Sequence, residues 1–134
     1  MKVRWTGESL RLRITPAELA ALERGDTVSE GLAFPGGGAW SVRLDPTAET
    51  AGVAWVEGAV RVGLAPADVR RLAAPDAEGV YPHTPRLRLL VEKDFPCAHP
   101  HVPDAREPET ERFAPSDGFL ARKAGGEDEG RGAA

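Results

Sequence analysis

Apolar and polar residues alternate one for one near the start of the chain. Val3 and Trp5 lie opposite Lys2 and Arg4. After Gly7-Glu8 the alternation resumes, with Leu10, Leu12 and Ile14 opposite Arg11 and Arg13. Period-two alternation on both sides of a short turn predicts a β-hairpin with one apolar and one wet face. Thr15-Pro16-Ala17-Glu18 then has the form of a capping box with proline at the first helical position. A short helix should follow, with Leu19 and Leu22 inward and Gly25 just past its end. Two further strands are predicted, Thr27 to Phe34 and Ala39 to Asp45, joined by Pro35-Gly36-Gly37-Gly38. That glycine run reads as a hairpin tip, because neither a helix nor a GK[ST] sequence follows it to make a phosphate cradle.

Pro46 to Thr50 is a linker, after which the opening pattern returns at an offset of 50 residues. Val53 and Trp55 match Val3 and Trp5, Val60-Arg61-Val62 matches Leu10-Arg11-Leu12, and Pro66 to Leu72 matches Pro16 to Leu22. The repetition suggests two ββα units, with repeats at 1–45 and 51–93 and the two tryptophans in equivalent places under the helices. In the second unit Glu57-Gly58 is the hairpin turn, and Ala65 replaces Thr15 as a poorer helix cap. A short strand at Glu78 to Tyr81 is interrupted by Pro82 and Pro85. Arg86 to Lys93 is the last strand, with Leu87, Leu89 and Val91 on one face. Pro96, Pro100 and Pro103 then rule out regular structure. The expected organisation is one α+β domain over 1–97, an extended, partly docked segment over 98–121, and a disordered acidic tail over 122–134. Its sheet is expected to be mainly antiparallel, curled or barrel-like, and to carry two short helices.

Two stretches resemble the signatures of a family of small bacterial proteins that form a domain of unknown function. The opening fits M-K-h-R-h-x-G-x-S-h-R-h-R-h-T through Lys2, Arg4, Gly7, Ser9, Arg11, Arg13 and Thr15. The close of the last strand fits V-E-K-D-F-x-C through Glu92, Lys93, Asp94, Phe95 and Cys97. The resemblance covers residues 1–97 and implies the extent of a domain without implying an activity. His99 and His101 fall outside that pattern.

Charge changes the picture only when divided. The formal net charge is −4. Residues 1–93 balance 12 basic against 12 acidic side chains, while residues 94–134 hold 5 basic and 9 acidic. A neutral body with an acidic tail argues against nonspecific nucleic-acid binding. One cysteine permits no internal disulfide, and the chain has neither a long apolar run nor a secretory leader pattern. A cytoplasmic location with no membrane partner is the expectation.

Three constellations could carry chemistry. Alternation sends Lys2, Arg4, Arg11, Arg13, Arg43, Arg61, Arg86 and Arg88 away from the apolar face. Arginines on neighbouring strands repel unless carboxylates or a bound anion intervene, and guanidinium groups match phosphate and carboxylate in two-point contacts. These residues, with Glu92 among them, form a candidate surface for an anionic ligand or partner protein, on an outer sheet face or inside a barrel. The alternative is a solvated face covered by long arginine stems. Glu92 is expected to pair with Arg11 or Arg13. Lys93 falls on the apolar side, so the strand should end there and turn at Asp94-Phe95. The second constellation is Cys97, His99 and His101, whose alternate spacing suits a zinc site only if the segment is extended. Cys97 could also act as a nucleophile beside Lys93 and Asp94, although no oxyanion-binding feature accompanies it. The first reading makes the protein a non-enzymatic binding module without a cofactor. The second makes it a small metal-binding protein or metal-dependent enzyme.

Overall fold

A computed structural model describes residues 1–96 and 113–126. Two four-stranded sheets are built from eight strands. These are β1 (Lys2–Trp5), β2 (Ser9–Ile14), β3 (Val28–Ala33), β4 (Ala39–Asp45), β5 (Gly52–Val56), β6 (Ala59–Gly63), β7 (Gly79–Val80) and β8 (Arg88–Lys93). The helices are α1 (Pro16–Glu23), α2 (Pro66–Ala73) and α3 (Asp117–Gly126).

The strands run β1-β2-β8-β7 in one sheet and β3-β4-β6-β5 in the other. Each sheet joins two antiparallel pairs through one central parallel pair, β2 with β8 and β4 with β6. This corrects the expectation of one mainly antiparallel, barrel-like sheet. Both sheets are mixed and open, and among the described residues no arginine is enclosed in a barrel. Alternation along a strand sets its two faces but not its neighbours, and both parallel pairs here join strands from different repeats.

The two hairpins share one register. Val3 faces Leu12 and Trp5 faces Leu10, just as Val53 faces Val62 and Trp55 faces Val60. The strand beside each hairpin repeats too, with Leu89 on Leu10 and Val91 on Leu12 matching Val42 on Val60 and Leu44 on Val62. The ββ unit after each helix therefore completes the sheet begun by the other hairpin. Inward residues of both sheets form one cluster with Leu19 and Leu22 of α1 and Val69 and Leu72 of α2. Burying such a set is the main drive to fold.

Local signals explain the boundaries. Thr15 Oγ1 accepts from the Glu18 amide at 3.2 Å, and Glu18 returns the bond to the Thr15 amide at 3.1 Å. At α2, Asp68 accepts from the Ala65 amide at 3.1 Å, but alanine has no oxygen to reciprocate. The Glu57-Gly58 turn takes positive φ at both residues, 50° and 77°, as a two-residue hairpin turn requires. At Gly79 an added Cβ would meet the Val91 carbonyl oxygen at 2.7 Å, so β7 can approach β8 only through glycine.

Other expectations need correction. Trp5 and Trp55 are equivalent in register, yet both lie 65% exposed rather than under the helices, because they sit beside the hairpin turns. Trp5 rests against Trp40 of the other sheet, with ring centroids 5.1 Å apart. The last strand begins at Arg88. Arg86 stands in the turn before it with φ +64°, so its side chain does not follow the strand alternation. A third helix is present, and the boundary drawn between 121 and 122 falls inside it.

Candidate anion-binding site

The register of β1, β2 and β8 gathers four of the predicted arginines on the outer face of one sheet. Arg4 lies opposite Arg11, and Lys2 opposite Arg13. On the other flank of β2, Ser9 lies beside Arg88, Arg11 beside Leu90, and Arg13 beside Glu92. Arg43 and Arg61 are neighbours on the other sheet, and Arg86 is exposed in its turn. The predicted cluster is thus divided. Alternation assigned each arginine a face but could not reveal that two sheets were involved.

Glu92 holds the centre of the basic face as expected. Its Oε2 lies 3.4 Å from Arg11 Nε and 3.8 Å from Arg13 Nε. The Tyr81 hydroxyl donates to its Oε1 at 3.4 Å. Partial burial, and then the charge of Glu92, raise the Tyr81 phenol above its ordinary pKa. Arg4 and Arg88 have no carboxylate partner among the described residues. Together with Arg11, Thr6, Ser9 and Leu90 they line a shallow depression of about 190 Å³.

Sequence reasoning missed Thr6 and Ser9, although their places on either side of the Gly7-Glu8 turn were a usable signal. Thr6 Oγ1 accepts from the amides of Glu8 and Ser9 at 3.2 and 3.1 Å. With its lone pairs engaged, it has a proton to donate to Ser9 Oγ, 2.9 Å away. The Ser9 proton is then free to point outward. The depression is consequently rich in donors: guanidinium groups from three adjacent strands and one hydroxyl. Such a set can hold an oxyanion through charge-assisted hydrogen bonds.

The residues after Glu92 secure the fold around this face. Lys93 is buried on the apolar side, where its ammonium donates to the Ala74 carbonyl at the end of α2 at 2.8 Å. It also lies 5.5 Å from the centroid of the Phe113 ring. Burial lowers the Lys93 pKa, opposed by the charges of Asp76 and Glu23. Asp94 is buried, pairs with Lys2 at 3.0 Å and donates its amide to the Ile14 carbonyl at 2.9 Å. Phe95 stacks on Phe119 at 4.6 Å and meets Phe113 at 6.1 Å. Glu92 to Phe95 thus ties β1, β2, α2 and the C-terminal segment to one strand end.

The predicted metal set, Cys97, His99 and His101, lies outside the described residues, as does Cys97 in its nucleophile role. Among the described residues no group of three or more His, Cys, Asp or Glu could hold a metal ion. None of the described helices is long and apolar enough to cross a membrane.

No curated protein and no solved structure matches the chain. One family model does, over residues 1–113, a span that contains both signature stretches, the whole of both sheets and Phe113 at the edge of the core. The chain therefore belongs to the family of unknown function DUF7009.

Proposed function

We propose that the protein is a non-enzymatic binding module, and that the outer face of β1, β2 and β8 takes up an anionic ligand or an anionic group of a partner protein. One observation carries this reading. Arg4 and Arg88 flank a donor-lined depression without a carboxylate partner among the described residues. Exposed arginines can remain solvated, but neighbouring ones repel and are relieved by an anion. Glu92 would hold Arg11 and Arg13 in position without filling the depression.

Titration with inorganic phosphate at low and moderate salt, followed by amide chemical shifts, tests the reading. The wild type should bind with a dissociation constant on the order of 1 mM, weakened by salt. Arg11→Ala and Arg88→Ala should each bind more weakly. Absence of salt-sensitive binding in the wild type, or unchanged binding in both variants, would eliminate the proposal.

A further inference from the structure

The two halves of the molecule provide an internal comparison for the depression. Carried across by the shared register, Arg4, Thr6, Ser9 and Arg11 correspond to Ala54, Val56, Ala59 and Arg61 on the other sheet. Arg88 and Leu90 correspond to Ser41 and Arg43. The same backbone frame is thus built elsewhere with alanine, valine and serine. The fold does not require arginine at 4 or 88, or hydroxyls at 6 and 9. The element kept in both halves is an arginine paired with a carboxylate, Arg11 with Glu92 and Arg61 with Asp45. What remains after subtracting the shared scaffold is two guanidinium groups without a carboxylate partner among the described residues, and a hydroxyl donor, around one depression.

We propose that this depression is a receptor for a phosphate monoester group. The inference rests on the anion-binding reading and specifies its ligand. Arg4 and Arg88 supply two positive charges that no described carboxylate compensates, matching a dianion better than a monoanion. The donors, three guanidinium groups and the Ser9 hydroxyl, come from three adjacent strands, which suits a tetrahedral group with several acceptor oxygens better than a planar carboxylate. A volume of about 190 Å³ is below the roughly 300 Å³ at which pockets for whole small molecules begin. The site would therefore hold the phosphate group and leave the remainder of the ligand in solvent. The charged groups facing the depression are Arg4, Arg11 and Arg88, with Arg13, Glu92 and Tyr81 beyond Arg11. Guanidinium groups as a class do not deprotonate in proteins. Binding should therefore follow ionisation of the ligand, whose second pKa is about 6.

The full chain should be titrated with methyl phosphate, inorganic phosphate, dimethyl phosphate and acetate at equal ionic strength. Methyl phosphate should bind at pH 7.5 at least about tenfold more tightly than dimethyl phosphate or acetate, and should weaken about tenfold by pH 5. Arg4→Ala and Arg88→Ser install the residues of the other half, so they should leave the spectrum of the fold intact. Each should weaken methyl phosphate about tenfold. Arg43→Ala, on the opposite sheet, should leave it unchanged. If all four anions bind alike, or Arg43→Ala weakens binding as much as Arg88→Ser, a diffuse basic surface remains and the monoester receptor is overturned. Binding of inorganic phosphate without methyl phosphate overturns it as well. If no anion binds, the broader reading fails with it.

Discussion

Glu92 and Asp45 occupy the same position in the two halves of the molecule, each beside the arginine of the neighbouring hairpin strand. Asp45 lies 2.5 Å from Arg61 and also accepts from the Thr47 amide and hydroxyl at 2.9 and 2.7 Å. Glu92, one methylene longer, is shared by Arg11, Arg13 and Tyr81 at 3.4 to 3.8 Å. One carboxylate is locked to a single cation, while the other sits loosely within a basic group.

Glu92→Gln should therefore cost little stability, about 1 kcal/mol or less, because its partners are long and partly exposed. By removing a competing negative charge, it should tighten phosphate binding several-fold. Chemical denaturation and phosphate titration of the variant check both effects. Weaker binding would mean that Glu92 matters more by positioning Arg11 than by its charge.

Acid stability should depend on Asp45. Its hydrogen bond with Arg61, followed by those with Thr47, lowers its pKa to about 2. A carboxylate with a depressed folded pKa contributes stability above its unfolded value near 3.8 and loses it as pH falls toward 2. Asp45→Asn should cost about 1–2 kcal/mol at pH 7, discounted because Arg61 is solvent-screened. Its stability should then fall less steeply between pH 4 and 2. Denaturation midpoints across that range provide the measurement.

Ala65→Thr should stabilise the protein. Ala65 has φ −71° and ψ 153°, close to the −81° and 166° of Thr15, and Asp68 already accepts from its amide. A hydroxyl there would complete the box, for a gain of about 0.5–1 kcal/mol. Thermal unfolding should show Tm rising by a few degrees (roughly 2–6 °C).

Truncation should divide the C-terminal segment into two contributions. Removing 122–134 breaks the exposed pair between Arg122 and Glu78, at a cost below about 1 kcal/mol. Removing 114–134 also takes Phe119 from its stack on Phe95, and should cost about 1–2 kcal/mol more. Urea unfolding of the two shortened chains separates these effects.

Particular residues explain how much was legible in advance. Thr15-Pro16 and Glu57-Gly58 are local signals, and both were honoured. Alternation alone placed Glu92 with Arg11 and Arg13 and ended the last strand at Lys93. Strand partnership was not encoded locally. Nothing in Arg43 or Arg61 announces a different sheet from Arg11, because the deciding contacts join residues far apart in sequence. Arg86 was misplaced because Pro82 and Pro85 prolong the turn past it, leaving its φ positive. The α3 helix was missed because glycines and small residues leave little apolar periodicity there. Ser9 went unnoticed as a donor until Thr6 was seen to engage the hairpin amides.

The crossing of strand pairs between halves also sets an order of events during synthesis. β2 emerges early, but its parallel neighbour β8 begins only at Arg88. Until then the inner edge of the first hairpin has open backbone donors and acceptors, while β3, β4, β5 and β6 already have what they need to pair. The second sheet can close first, with the first hairpin held beside it through Trp5 and Trp40. Pairing across so long a span carries a larger loop-closure cost than the pairings within the second sheet, so closure of the first sheet should be the slower of the two. A released chain ending before Arg88 would have the strands of one complete sheet and one edge open to passing strands.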